Sequence, residues 1–223
     1  MQRRILSSPL LWALLPYILI SVVHVTALAL RSPLGPPTKL ALMPLLALPV
    51  LVFASRLRPR VTIALLLAAI LFSWLGDGAG TFFPVDDELP LMLLFFGLAH
   101  IAYIVLFWRY LRVKKFPWWA LVYAAWWVAM LAIVGPHAGL LFFAVAAYGL
   151  VLGGTAALAA RCHPVVAWGG AFFLLSDTIL ALRLFLPTEL PHWTSPAVML
   201  TYTLGQGLIV AGALLTLRRK EQR

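Results

Sequence analysis

Apolar runs long enough to cross a bilayer follow one another along almost the whole chain, and that pattern leaves few folds open to it. A spanning helix needs about 20 mostly apolar residues, because each residue advances about 1.5 Å through a hydrocarbon core about 30 Å thick. On that scale the sequence contains about eight runs, at residues 10–30, 39–55, 61–76, 89–111, 117–134, 138–160, 165–186 and 196–217. Short connections rich in Pro, Gly and charge separate them, such as Ser32-Pro33-Leu34-Gly35-Pro36-Pro37 and Arg56-Leu57-Arg58-Pro59-Arg60. With 63% hydrophobic and 11% charged residues and a mean hydropathy of +0.99, a water-soluble fold has no means of hiding this surface. The expected class is all-α, a polytopic membrane helix bundle, with residues 1–223 forming a single integral membrane domain.

The formal net charge of +10 raises nucleic acid as a partner, but the basic residues sit in short clusters between apolar runs rather than along one face. No nucleic-acid partner is expected. Lys and Arg instead follow the positive-inside pattern of membrane-flanking loops. One set of alternate loops and ends carries Arg3, Arg4, Arg56, Arg58, Arg60, Arg109, Arg112, Lys114, Lys115, Arg161, Arg218, Arg219, Lys220 and Arg223, and the other carries Arg31, Lys39 and Arg183. Fourteen against three puts both termini in the cytoplasm and turns the acidic stretch Asp86-Asp87-Glu88, and Glu189, outward. Ala27-Leu28-Ala29 loosely resembles a signal-peptide cleavage site, but cutting there leaves an odd number of spans, so the first helix is read as retained. The single cysteine, Cys162, excludes an internal disulfide and a Cys-based zinc cluster.

Within such a chain every ionisable residue needs a reason, since an Asp at a helix centre costs about 2.5 to 3.5 kcal/mol on insertion scales. Asp77 and Asp177 are the only acidic residues within or at the ends of the runs. Asp77 and Lys39 fall at outer helix ends, and His24, His100, Tyr103, Asp177, Tyr202 and Gln206 fall between the midplane and the outer interface. Helical spacing gives each run one polar stripe: Ser73 with Asp77, His100 with Tyr103, Tyr202 with Gln206, and Tyr17 with Ser21 and His24. These stripes are expected to converge on one cavity open to the outer side. Gly76-Asp77 followed by Glu88-Leu89-Pro90 is echoed by Ser176-Asp177 followed by Glu189-Leu190-Pro191, which pairs the two aspartates across a short internal repeat.

Each residue also has a structural reading. Asp77 in Gly76-Asp77-Gly78-Ala79-Gly80 reads equally as an exposed helix end, and His100 alone reads as a packing histidine. Lys39 and Arg183 can snorkel to headgroups, and Tyr and Gln in spans often bridge helices. His24 and His192 are assigned structural or interfacial places. The nine tryptophans read as interface belt and packing, and Gly149 with Gly153 as a helix-packing face.

Several of these residues fall in one ordered set: Thr38-Lys39, Met43-Pro44-Leu45-Leu46, Gly76-Asp77, Gly97-Leu98-Ala99-His100-Ile101-Ala102-Tyr103, Phe173-Leu174-Leu175-Ser176-Asp177-Thr178 with Arg183 and Phe185, and Tyr202 with Gly205-Gln206. In that order, over most of the chain, they resemble the YhhN-like membrane proteins, which include the transmembrane lysoplasmalogenases. Leu40 departs from the pattern, standing where a proline is expected after the lysine. The resemblance implies hydrolysis of the vinyl-ether bond of a lysoplasmalogen to a fatty aldehyde and a glycerophospho-alcohol. It implies a lysophospholipid substrate, surrounding membrane lipid, no cofactor and no metal; the expected location is a bacterial cell membrane.

Opening an enol ether needs an acid at the outer vinyl carbon, a negative charge near the resulting oxocarbenium ion, and a positioned water. On this reading Asp77 and Asp177 supply acid and charge, and His100 relays a proton or orients the water. Tyr103, Tyr202 and Gln206 hold glycerol oxygens or the aspartates, and Lys39 and Arg183 take the phosphate. Two other readings use the same residues. A proton-coupled transporter or lipid-binding protein needs intramembrane carboxylates too. Metal-assisted hydrolysis takes Asp77, Asp177 and His100 as ligands, although no motif such as H-E-x-x-H is present.

Overall fold

The computed structural model describes residues 8–186, 188 and 190–221. Among them every regular element is helical: α1 (Ser8–Ala29), α2 (Gly35–Phe53), α3 (Val61–Asp77), α4 (Ala79–Phe82), α5 (Leu89–Leu106), α6 (Val122–Val134), α7 (Phe142–Ala159), α8 (Pro164–Phe185) and α9 (Thr194–Glu221). Seven helical stretches are long and apolar enough to cross a membrane. The remaining expected span is α3, an apolar helix of 17 residues. At about 1.5 Å per residue it reaches about 25 Å, and α4 carries the chain onward after Gly78.

Several boundaries differ from expectation, among them the start of α7, which follows the tight turns Gly135–His137 and Gly139–Leu141 and comes at Phe142 rather than residue 138. α2 begins at Gly35 rather than Lys39, because Pro36 and Pro37 occupy its first turn, where a missing N–H costs nothing. The apolar run of α5 ends in a π-helical turn, Phe107–Leu111. The run before α6 opens as a tight 3-10 turn, Trp118–Leu121, after Pro117. Of the flanking charges, Arg3, Arg4, Glu189 and Arg223 lie outside the described residues.

The bundle is apolar on its outside as well as in its core, and a few polar side chains are set within that core. Trp12, Trp118, Leu140 and Phe143 are exposed on its outside, while Gln206, His100, Thr155 and Ser73 are buried within it. Such a surface matches hydrocarbon on the outside and leaves polar groups to partner one another inside. α9 is the central helix: 72% of its most apolar window is buried, against 17% for the stretch containing α6. Neighbours in sequence pack as hairpins, α1 with α2, α3 with α5 and α8 with α9, and α5 also packs on α7.

At the end bearing the basic loops, the Arg218 guanidinium lies 4.8 Å from the Phe53 ring centre and that of Arg161 lies 5.1 Å from Trp108. The Arg161 carbonyl accepts from the N–H groups of both Val113 and Lys114, at 3.0 and 3.2 Å, which fastens the loop after α5 to the end of α7.

α8 and α9 approach most closely of all. A Cβ placed on Gly169 meets the Ile209 nitrogen at 2.7 Å and the Gly205 oxygen at 2.9 Å, and one on Gly205 meets the Phe173 nitrogen at 2.8 Å. These neighbours are backbone, so a methyl group forces the helices apart. Gly169→Ala and Gly205→Ala should each destabilise the protein by about 1–3 kcal/mol in detergent melts. Gly97→Ala, where a Cβ meets nothing within 4 Å, should leave the melting temperature unchanged or slightly raised.

Candidate active site

The end of the bundle opposite the basic loops carries the charged residues of the spans. Asp77 is the last residue of α3, where the helix stops at Gly78, and its carboxylate is held from two sides. The Tyr202 hydroxyl of α9 donates to Asp77 Oδ2 at 2.7 Å, and Lys39 Nζ of α2 lies 3.7 Å from Asp77 Oδ1. The Asp77 side chain is only 4% exposed, so this charge rests on its partners rather than on solvent.

One turn deeper, α3 and α9 are tied again and α5 joins them. The Tyr103 hydroxyl of α5 donates to Gln206 Oε1 at 2.5 Å, and Gln206 Nε2 of α9 donates to Ser73 Oγ of α3 at 2.9 Å. Ser73 and Asp77, like Tyr202 and Gln206, are one helical turn apart, so the two layers stack.

Asp77 lies in the wall of a cavity of about 350 Å³ that also bears His24, Lys39, Glu88, Arg183 and Ser195. Arg183 is half-buried and its Nη1 donates to Thr194 Oγ1 at the start of α9. Glu88, expected to face outward with Asp86 and Asp87, is exposed as they are but lines the mouth of this cavity. Next to it is a slot of about 60 Å³ with mainly apolar walls, Met92, Phe96 and Leu184 among them, and with Tyr148 and Asp177. The two spaces share Leu180 as a wall. Asp177 accepts a short hydrogen bond from the Tyr148 hydroxyl of α7 and lies within Coulombic reach of Asp77. Rings pack around the tyrosine that holds Asp77: Tyr202 stands edge-on to Phe96 and Phe173, with centroids 6.1 and 5.4 Å away.

Lys39, Asp77 and Arg183 are therefore brought to one cavity, with Tyr202 on the carboxylate and Asp177 in the adjoining slot. Tyr103, Gln206 and His100 are fully buried and line neither space. His100 sits behind the slot, its ring centre 5.7 Å from that of Tyr148 and 4.7 Å from that of Phe173. Its Nδ1 is 3.2 Å from Thr155 Oγ1. Among the described residues no three His, Cys, Asp or Glu side chains come together as metal ligands do.

Sequence reasoning passed over Tyr148 and set His24 aside. Tyr148 and Thr155 are seven residues apart and share a face of α7, a signal hidden by the glycine and alanine around them. His24 lies on the polar stripe of α1, and it enters the cavity because α1 packs against α2 at Thr38.

Membrane-spanning helices closed around a pair of tyrosine-held carboxyl groups define a polytopic membrane protein with a built acidic site. Residues 34–213 match the family model described as the YhhN family, and the chain belongs to that family. No curated protein and no solved structure matches the chain.

The layer beneath Asp77 yields a stability prediction. Gln206→Leu strands the buried hydroxyls of Tyr103 and Ser73, and thermal unfolding in detergent should show a loss of about 1–3 kcal/mol per group left unpaired. A variant that melts like the parent would separate this layer from the stability of the bundle.

Proposed function

We propose that this protein is a membrane hydrolase that cleaves the vinyl-ether bond of lysophospholipids, as lysoplasmalogenases do. One observation carries the reading: a buried carboxylate, Asp77, shares a cavity with two cations, Lys39 and Arg183, beside a second carboxyl group in an apolar slot. Cations suit a phosphate, carboxyl groups suit acid catalysis, and apolar walls suit the start of an alkenyl chain.

The roles divide by surroundings. Among the described residues Asp177 has a phenol but no cation at hydrogen-bond range, and it stands in a mainly apolar wall, where an uncompensated charge is costly. It is the proton donor to the outer vinyl carbon. Asp77, beside the Lys39 ammonium, supplies the negative charge that stabilises the oxocarbenium ion. Water adds to that ion at the carbon bearing oxygen and loses a proton to the now ionised Asp177, giving a hemiacetal. Its C–O bond to the glycerol then breaks, leaving aldehyde and alcohol. One water is consumed and the acid is regenerated. Lys39 and Arg183 hold the phosphate, and the tyrosines fix the carboxyl groups.

The test is aldehyde release from an alkenyl lysophospholipid by the purified protein in detergent. Asp77→Asn and Asp177→Asn, checked for folding by melting, should each lower the rate by about 100-fold or more. Lys39→Met should weaken substrate binding as well, since it removes both a phosphate contact and the partner of Asp77. No aldehyde from a folded parent, with choline and ethanolamine headgroups alike, overturns the hydrolase reading in favour of transport or lipid binding by the same carboxylates.

A further inference from the structure

Among the polar groups of the cavity that the reaction above does not use is a histidine. His24 of α1 is 1% exposed and lines the same wall as Lys39 and Arg183. Its Nδ1 lies 2.8 Å from Thr38 Oγ1, while its Nε2 is buried without a hydrogen-bond partner. Residue 24 also precedes the stretch, 34–213, that defines the family match.

Counting protons fixes which nitrogen carries hydrogen. Thr38 Oγ1 is 2.5 Å from the Leu34 carbonyl and 2.9 Å from the Gly35 carbonyl, and neither oxygen has a proton to give. The single hydroxyl proton of Thr38 therefore goes to a carbonyl, and toward His24 the hydroxyl can only accept. Nδ1 must donate, so in the neutral ring Nε2 is a lone-pair acceptor. Of the charged side chains in this cavity, Lys39 and Arg183 are donors without acceptor capacity, the Asp77 carboxylate is already held by Lys39 and Tyr202, and Glu88 is exposed. A ligand hydroxyl bound near the two cations needs a place for its proton, and His24, a residue of that wall, has in its buried Nε2 an acceptor without a partner.

Lys39 follows Thr38 in the chain, so the turn that orients the histidine also carries the phosphate-seeking cation. In a lysophospholipid the free hydroxyl sits on the carbon next to the one bearing the phosphate ester. We propose that His24 is a specificity-determining residue: Nε2 accepts the proton of the free glycerol hydroxyl, so that the site selects lysophospholipids over lipids blocked at that oxygen. The assignment rests on the lysophospholipid reading given above.

Binding to the full-length protein in detergent tests it without catalysis, using 1-O-alkyl lysophosphatidylcholine, which has no vinyl bond, and the same lipid methylated at its free hydroxyl. The parent should prefer the free hydroxyl about tenfold, the worth of one neutral hydrogen bond. His24→Asn keeps a polar atom toward Thr38 but has nothing at the Nε2 position, and should bring the preference within about twofold while affinity for the methylated lipid stays put. His24→Gln, which reaches the Nε2 position with an oxygen, should restore part of it. Thr38→Val frees the ring to hold its proton on Nε2 and should lower the preference as well.

A parent that binds both lipids equally overturns the assignment and leaves the hydrolase reading standing. Equal loss of both lipids in His24→Asn makes the residue structural and also overturns it, as does a His24→Asn variant that loses turnover but keeps the preference. A folded parent that binds neither lipid fails the lysophospholipid reading itself, and the assignment with it.

Discussion

The Asp77 carboxylate is the point on which the arrangement turns. Its side chain is nearly sealed from solvent, and its partners come from two other helices, Lys39 of α2 and Tyr202 of α9. A bare charge there is costly, so α2, α3 and α9 must meet for it to be tolerated. Tyr103, Gln206 and Ser73 repeat the tie one turn deeper and bring in α5. The bonds that hold four helices together thus also shape the acidic site, and neither can be loosened alone.

The two carboxyl groups are alike in sequence and unlike in company. Each lies on the first helix of a hairpin, α3 with α5 or α8 with α9, and each accepts from a tyrosine. The tyrosines nevertheless come from different places, α9 for Asp77 and α7 for Asp177. Lys39 stands beside Asp77 alone. One short motif thus stands in two electrostatic settings, and the proposed division into proton donor and fixed anion rests on that difference.

Much of this was legible in the sequence, for reasons that also mark where legibility ends. Apolar runs announce helices of spanning length because the bilayer sets their size, and the ends of α2, α5, α6 and α7 are among those that departed, where prolines and tight or wide turns decide the geometry. Asp77, Asp177, Lys39 and Arg183 stood out because charge is rare in such runs. Spacing shows which face of its own helix a residue occupies; it does not show the partner. Tyr202 meets Asp77 across 125 positions, and Tyr103 and Gln206, on the expected faces, bond to each other below the cavity. Tyr148 has no charge to betray it, and His24 gains its place only through the packing of α1 on α2.

The contact of α8 and α9 at Gly169 and Gly205 is between backbones, with no side chain to fold away. Such a pair acts as one stiff beam, and it carries Asp177 and Arg183 on one member and Tyr202 on the other. Their spacing is thereby set by the backbones themselves rather than by side-chain packing. The slot beside Asp177 is also walled by Met92 and Phe96 of α5, side chains with rotamers to spare. The site works as a vice with one fixed jaw, and the width of its opening is decided by how far those few side chains swing.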